Sequence, residues 1–519
     1  MTSTTFPAAL GTSRSAIVAR RETAAIFALT AAALLLRVTS LSRSLFTDEA
    51  YSLALAQRGF GHMFGLFGYE ANGTPYPIVL WPLIRVFGSS EALLRAPAVV
   101  AGTLSIPALW WAARRFVSSG WALLAAALLA ISPMAIWYSQ MARPYAYVML
   151  ATCLAFGALP RALDRGSGRG RWAGYVAAMA LLAYCDILAA PIVLPAQALI
   201  ARRAGPDGFR RWLRSLAVLL VACVPLIVAA VIARGRRNAL YWLPKPDRTL
   251  VTQTLQEFSG GFSGLTAVRW ATIAAGALLL GAALWSLRRR RDDTQRAGFA
   301  IALSWGVLPV VLLMAVSLIR PLFWPRYAIV ALPGLSLLAA LAAARLWQER
   351  RGMLVAGACL AAIFLAAGAA DLRQRTAVQE DWPTSMAWLR AERLPGQPVI
   401  VDSMIVLPSI GYYDRALRAR DGALVVQEWH DRPVPSGVVG FKAPGSFGTV
   451  PNGPPNAAAF ASAARRGGGS AWMLVAEPYE ARQGDVRNGA AAAWARSHCR
   501  VQVRESVGVW VLRARGCAG

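Results

Sequence analysis

The chain is 519 residues long, 56% hydrophobic and only 15% charged, with a mean hydropathy of +0.45. Many apolar runs approach the ~20 residues needed to cross a bilayer, which excludes an ordinary soluble enzyme and makes this a polytopic α-helical membrane protein. A net charge of +28 would suit nucleic acid, but most arginines sit at the ends of apolar runs, where cytoplasmic loops carry their positive excess, so no nucleic-acid partner is expected.

Only Lys245 and Lys442 are lysines, and this Ala/Arg-rich composition fits a GC-rich bacterial genome and hence a bacterial plasma membrane. Arg14, Arg20 and Arg21 precede the first apolar span, Ala24 to Leu36, which marks a cytoplasmic N-terminus and an uncleaved anchor. Arg37 at the far end of that span either snorkels to the surface or pairs with a carboxylate just beyond it.

Those carboxylates lie in Thr47-Asp48-Glu49-Ala50-Tyr51-Ser52. Charge at a membrane surface is costly unless paired or used. In a helix, adjacent side chains diverge by about 100°, so one carboxylate can face a cavity while the other holds an arginine or a cation. The plainer reading is a helix start capped by Thr47 or Asp48. Residues 42–92 form the first external segment. Within it, Tyr76 to Phe87 is too short to span and carries Pro77, Pro82 and Arg85, which predicts a re-entrant or interfacial helix.

Further spans are predicted at residues 93–113, 120–137, 145–160, 172–185, 187–201, 213–233, 270–287, 298–318, 327–344 and 353–370, which with the first makes eleven. The arginine-rich turns at 114–115, 161–171, 202–214, 288–296 and 345–351 then all face the cytoplasm. The opposite face gathers Asp48-Glu49, residues 138–143, Asp186, the loop 234–269 and residues 320–326. That loop is itself basic (Arg234, Arg236, Arg237, Lys245, Arg248), which suits either a lipid phosphate or ordinary head-group anchoring. Residues 1–370 are therefore a transmembrane domain.

Residues 371–519 differ in character. Strand-like runs at Pro398 to Asp402, Ala423 to Gln427, Ala471 to Val475 and Val509 to Arg513 alternate with helical or Gly/Pro-rich stretches, a small α/β domain. An odd number of crossings puts it outside the cytoplasm, with a Gly/Pro-rich loop over Pro433 to Pro455. Cys499 and Cys517 flank two hairpin strands around Ser506-Val507-Gly508. A register centred on residue 508 sets them opposite each other and predicts a disulfide in an oxidising compartment. The other four cysteines are scattered in apolar spans as core residues, and the three histidines lack metal-ligand spacing.

Together these segments resemble the polytopic glycosyltransferases of the GT-C fold, in the branch of the protein mannosyltransferases and the lipid A aminoarabinose transferase. Asp48-Glu49-Ala50-Tyr51-Ser52 looks like that family's acidic motif in the first external loop. Glu70-Ala71-Asn72 with Tyr76, then Glu91 to Pro97, looks like its following helix and span entry. Ile131-Ser132-Pro133 with Trp137 to Tyr145 looks like the next external turn, and Pro325-Arg326-Tyr327 with Pro333 is a weaker match. Two departures stand out: Met141 occupies a position usually acidic, and Asn72-Gly73-Thr74 replaces a His-Pro-Pro of some relatives.

The resemblance implies a polyprenyl-phosphate-linked sugar donor and an acceptor hydroxyl on a glycan, lipid or protein, joined by one inverting displacement. That chemistry needs a carboxylate base for the hydroxyl and cations for the departing phosphate. Asp48 is the expected base, with Glu49 as a supporting carboxylate or the holder of a divalent cation, should one be needed. Arg143, Arg326, Lys245 and Arg95 are candidates for phosphate, and Asn72 either binds sugar hydroxyls or caps a turn. The competing classes are a lipid or lipid-linked-sugar flippase, which should show internal repeats and midplane polar groups, and a non-catalytic assembly partner, which would tolerate the loss of Asp48.

Overall fold

The computed structural model describes residues 10–57, 75–234, 243–289, 293–401, 406–414, 424–426, 457–476 and 490–518. Asn72, with the rest of Glu70-Ala71-Asn72, and the loop Pro433 to Pro455 lie outside them.

All eleven predicted spans fall on helices. Helix α1 (Leu10–Arg37) leads through the short α2 (Thr47–Gln57) and α3 (Pro75–Phe87) to α4 (Glu91–Ala113), α5 (Ser119–Ile131), α6 (Pro133–Ser139) and α7 (Tyr145–Leu163). Then come α8 (Arg169–Cys185), α9 (Ala189–Arg203), α10 (Gly205–Ala222), α11 (Val224–Arg234) and α12 (Arg248–Gly260). Last in the membrane region are α13 (Thr266–Arg289), α14 (Asp293–Gly306), α15 (Leu308–Ile319), a 3-10 turn (Pro325–Ala331), α16 (Leu332–Leu346) and α17 (Arg350–Gln374). Among the described residues, five helices are long and apolar enough to cross a membrane, or eight if each bent pair counts once. The shortfall from eleven has a physical reason: α8 and α9 hold only 17 and 15 residues, and the apolar part of α1 is bounded by Arg20-Arg21-Glu22 and Arg37.

The bend that matters most lies between α5 and α6, at 62°. Pro133 has no N–H to continue the helical ladder, so Ser132 caps the new helix at Ala135 N and carbonyls are left over. Arg37 takes one of them, donating to Ala130 O at 3.1 Å and to Ser139 Oγ at 3.2 Å. Gln374 takes another, donating to Pro133 O at 3.0 Å. Arg37 is wholly buried, so it neither snorkels nor pairs with Asp48 or Glu49. Gly102 on α4 makes room for this junction, since a Cβ there would run into the Ser139 side chain.

Beyond α17 the chain forms α18 (Trp382–Glu392), β1 (Val399–Val401), α19 (Leu407–Tyr413), β2 (Leu424–Val426), α20 (Ala457–Arg466), β3 (Ala471–Ala476), α21 (Ala490–His498), β4 (Arg500–Ser506) and β5 (Val509–Arg515). The sheet order is β2-β1-β3-β5-β4, parallel across the first three and antiparallel beyond. Strand β3 is buried along its whole length, as expected of a strand covered on both faces. Trp472 and Leu474 pack under α18 and α19, whereas Met473 and Val475 pack under α20 and α21.

Cys499 and Cys517 are joined in a disulfide. The expected hairpin register was off by one. Ser506 pairs with Val509 and Arg500 with Arg515, so the turn is the two-residue Val507-Gly508 with Gly508 at φ +66°. The cysteines are therefore not a directly opposed pair: Cys517 lies past the end of β5 and turns back to reach Cys499.

Candidate active site

The first turn of α2 holds both carboxylates, and the structure separates them. Glu49 reaches back to accept the Phe46 N–H at 2.9 Å, the side-chain half of a capping box. It also accepts the Ala142 N–H at 2.7 Å and two hydrogen bonds from Arg95, Nε at 2.8 Å and Nη2 at 2.7 Å. Burial alone would push this carboxyl up. The Arg95 charge, with hydrogen bonds from Arg95, Ala142 and Phe46, outweighs that and holds it below its ordinary value.

Arg95 was expected to contact phosphate. Instead its Nη atoms also donate to the carbonyls of Leu41, Arg43 and Ser44 at 2.7, 2.8 and 3.0 Å. All five N–H groups of a guanidinium are thereby committed, and none is left for a ligand. Glu49 is likewise saturated, which leaves it no lone pair directed at a cation. The pair is a clamp: it ties α4, the 41–46 loop, α2 and the 140–144 turn together. Among the described residues no group of three or more His, Cys, Asp or Glu side chains is placed to hold a metal ion.

Asp48, one residue earlier, points elsewhere. Its carboxylate lies 3.3 Å from Arg326 Nη2, and the two side chains are 11% and 12% exposed. The Asp48 pair is therefore largely buried, with slightly more solvent access than Glu49 and Arg95, at 3% and 0%. The Arg326 guanidinium stands 5.8 Å from the Tyr145 ring centre and 5.7 Å from that of Tyr327. Arg143 is hydrogen-bonded to the Tyr145 side chain. Residues from α2, the 140–144 turn, α7 and the 3-10 turn thus converge, bringing Asp48, Arg143 and Arg326 together. Lys245 stands exposed in the segment leading to α12, outside this network. Met141 is buried in the apolar core, so no carboxylate occupies that position.

Two further carboxylates enter that the sequence did not single out. Glu257 on α12 accepts from Gln253 Nε2 at 2.9 Å and from the Tyr138 hydroxyl at 3.4 Å. Burial raises it to about 7 against these hydrogen bonds and the nearby Arg326. Glu380, just before α18, reaches the first residue of α2. Its Oε2 accepts from Thr47 N at 2.8 Å, Thr47 Oγ1 at 2.6 Å and the Trp382 indole. Neither stands in a motif. The only local signals were a lone acid at Glu257 and the adjacent pair Glu380-Asp381.

Comparison with known proteins agrees with this geometry. Residues 75–233 match the family model described as dolichyl-phosphate-mannose-protein mannosyltransferase. No curated protein matches the chain significantly in sequence. Among solved structures, ArnT from Cupriavidus metallidurans bound to undecaprenyl phosphate superposes with a TM-score of 0.56 at 16% identity, covering 94% of this chain and 97% of that one. The Archaeoglobus fulgidus oligosaccharyltransferase in complex with Zn and sulfate gives 0.52 at 14% identity, covering 94% and 72%. The same organism's AglB with an inhibitory peptide and a dolichol-phosphate gives 0.51 at 13%, covering 94% and 74%. These near end-to-end superpositions give this chain the GT-C fold.

Proposed function

We propose that this protein is an inverting glycosyltransferase that moves a sugar from a polyprenyl-phosphate donor to an acceptor hydroxyl outside the cytoplasm. The observation that carries the reading is the largely buried but still accessible ion pair of Asp48 with Arg326, set beside the sequestered pair of Glu49 with Arg95. A buried pair with every donor and acceptor satisfied serves structure. A pair flanked by Arg143 and three tyrosines, with about a tenth of each side chain accessible, can exchange partners. The donor phosphate would draw Arg326 and Arg143 to itself, since guanidinium binds phosphate with charge-assisted hydrogen bonds. Asp48 is then released to accept the proton of the attacking hydroxyl as its oxygen bonds to the anomeric carbon and the bond from that carbon to the phosphate oxygen breaks. The leaving phosphate takes the negative charge, which the two arginines are placed to stabilise. Neighbouring solved structures hold undecaprenyl phosphate and dolichol-phosphate, which supports this donor class.

The surrounding topology belongs to the same proposal: an N-terminus in the cytoplasm of a bacterial cell, a transmembrane region to about residue 370, and residues 371–519 on the outer side with the site. A flippase is the second class, and the chemistry separates the two. The polyprenyl-phosphate sugar that accumulates in membranes lacking the protein identifies the donor, and purified protein is then assayed for sugar release from it. Asp48→Asn keeps the shape and capping capacity of Asp but removes the base, so transfer should drop about 10²–10⁴-fold with donor binding retained. Transfer by Asp48→Asn at the wild-type rate would remove Asp48 as base and the mechanism with it.

A further inference from the structure

The region after α17 does more than sit beside the membrane domain. Tyr413 Oη accepts the Leu45 N–H at 2.7 Å, Ser44 Oγ accepts the Trp382 N–H at 3.3 Å, and Tyr412 donates to Ser89 O at 2.8 Å. At the centre of this seam is Glu380, fully buried. Its Oε2 gathers both Thr47 donors and the Trp382 indole, while its Oε1 is buried with no hydrogen-bond partner.

Glu380 is itself held from behind. Asp381 N donates to Val507 O at 2.7 Å, and Ser506 Oγ donates to Asp381 O at 3.1 Å. A Cβ at Gly508 would run into the Gln379 carbonyl, so only glycine lets the β4–β5 turn press this closely on the segment. The other end of the same hairpin is closed by the Cys499–Cys517 disulfide. A rigid hairpin therefore sets Glu380, and Glu380 sets the N-terminus of α2 at the residue preceding Asp48.

We propose that Glu380 is a positioning residue for Asp48: as a neutral carboxylic acid it anchors the start of α2 to the β-hairpin of the C-terminal region, and its ionisation disables the site. This rests on the reading of Asp48 as the base. The physical argument is charge. The groups facing Glu380 are Thr47 and Asp48 from α2, Trp382 from α18 and the backbone held by the hairpin. Of these only Asp48 carries charge, and it is of like sign, while the adjacent Asp381 carboxylate is turned away to cap α18 at Thr384 N. Burial, then the nearby Asp48 charge, raise the Glu380 carboxyl to about 8 against its hydrogen bonds. Glu380 is fully buried, and a buried charge costs far more than a buried neutral acid. Below about 8 the acid is neutral and Asp48 has Arg326 to itself. Above it, a second negative charge appears beside Asp48, which opposes an anionic donor.

The experiment uses the full-length protein in detergent and undecaprenyl phosphate as the binding probe, with Kd measured from pH 6.5 to 9 for wild type, Glu380→Gln and Glu380→Ala. Glu380→Gln keeps an acceptor for Thr47 but cannot ionise. Between pH 7 and pH 9 the wild-type Kd should weaken about tenfold more than that of Glu380→Gln, the effect of one like charge in a low-dielectric site. The ligand's own titration cancels in this comparison. In the transfer assay, Glu380→Ala should lose roughly 10–100-fold in kcat with little change in KM, as expected when a base is displaced by about an ångström, and Glu380→Gln should restore it at pH 7. Identical pH profiles for wild type and Glu380→Gln, or wild-type kcat in Glu380→Ala, overturn the proposal. If Glu380→Ala does not fold, the Glu380→Gln profile decides alone. Loss of activity in Asp48→Asn alongside either outcome keeps this question apart from that of the base.

Discussion

The buried pair of Glu49 and Arg95 offers the sharpest test of how the two adjacent carboxylates divide their work. Arg95→Met replaces the guanidinium by an apolar chain of similar length and leaves Glu49 with only the Phe46 and Ala142 N–H groups of its four hydrogen bonds. It also strips donors from the Leu41, Arg43 and Ser44 carbonyls. Removing one partner of a buried ion pair costs about 3–5 kcal/mol because the other charge stays buried without compensation. Glu49→Gln should also destabilise, since its NH2 group meets two donors in place of an oxygen and Arg95 stays charged and buried. The double variant should be less damaged than the sum of the two, with a coupling of roughly 1–3 kcal/mol, the upper range for contacting pairs. The assay is the apparent melting temperature of purified protein in detergent, read beside Kd for undecaprenyl phosphate. A clamp predicts a large melting loss in Arg95→Met and, in whatever folds, near-normal binding. Wild-type melting with binding weakened tenfold or more would falsify the clamp and return Arg95 to the phosphate.

Arg326→Gln removes the partner of Asp48 and a proposed phosphate ligand, so undecaprenyl phosphate binding should weaken about 10–100-fold, the value of a hydrogen bond to a charged group; unchanged Kd would sink that role. Glu257 has its carboxyl raised to about 7 from an ordinary value of 4.5, so its contribution to stability is present below about 4.5 and is lost as pH rises through about 7. The melting temperature should therefore decline more between pH 4.5 and 7 in wild type than in Glu257→Gln, and parallel declines would show that Glu257 does not titrate in this window. For topology, single cysteines at Gly168 and Gly453 should label from opposite sides of intact spheroplasts; labelling of both from one side removes the outward-facing site.

What the sequence could disclose follows from which signals are local. The eleven apolar segments are continuous runs, and each became helix. Their bends are local too: Pro133, beside a serine cap, is visible as a break. Arg37 was visible as a charge at the end of a span, to be met by the surface or by a carboxylate, but its partners are an α5 carbonyl and Ser139, beside that break far along the chain. Hydropathy gives no account of which carbonyls a kink releases. The same limit explains the hairpin. The strands and both cysteines were legible, yet the register depended on whether the turn held two residues or three, and Ser506 pairs with Val509 across two.

Asp48 and Glu49 show the limit in its most consequential form. Helical geometry requires their side chains to diverge by about 100°, so the sequence could state that one carboxylate would be structural and the other available. It could not assign the arginines. Arg95 lies in a span entry that resembles a binding motif, yet its backbone position faces the 41–46 loop, whose carbonyls need donors. Arg326 was the weaker match and is the one beside Asp48. A guanidinium goes where unpaired acceptors are most concentrated, since leaving them buried and unmet costs about 1–3 kcal/mol each. At Glu49 four acceptor sites are buried, and so an arginine is consumed there. At Asp48 about a tenth of each side chain stays accessible, so a ligand can reach the arginine. The proposed difference between a clamp and a pair that exchanges partners is thus one of solvent access. It belongs to the packed structure, even though both pairs begin from neighbouring residues of one short motif.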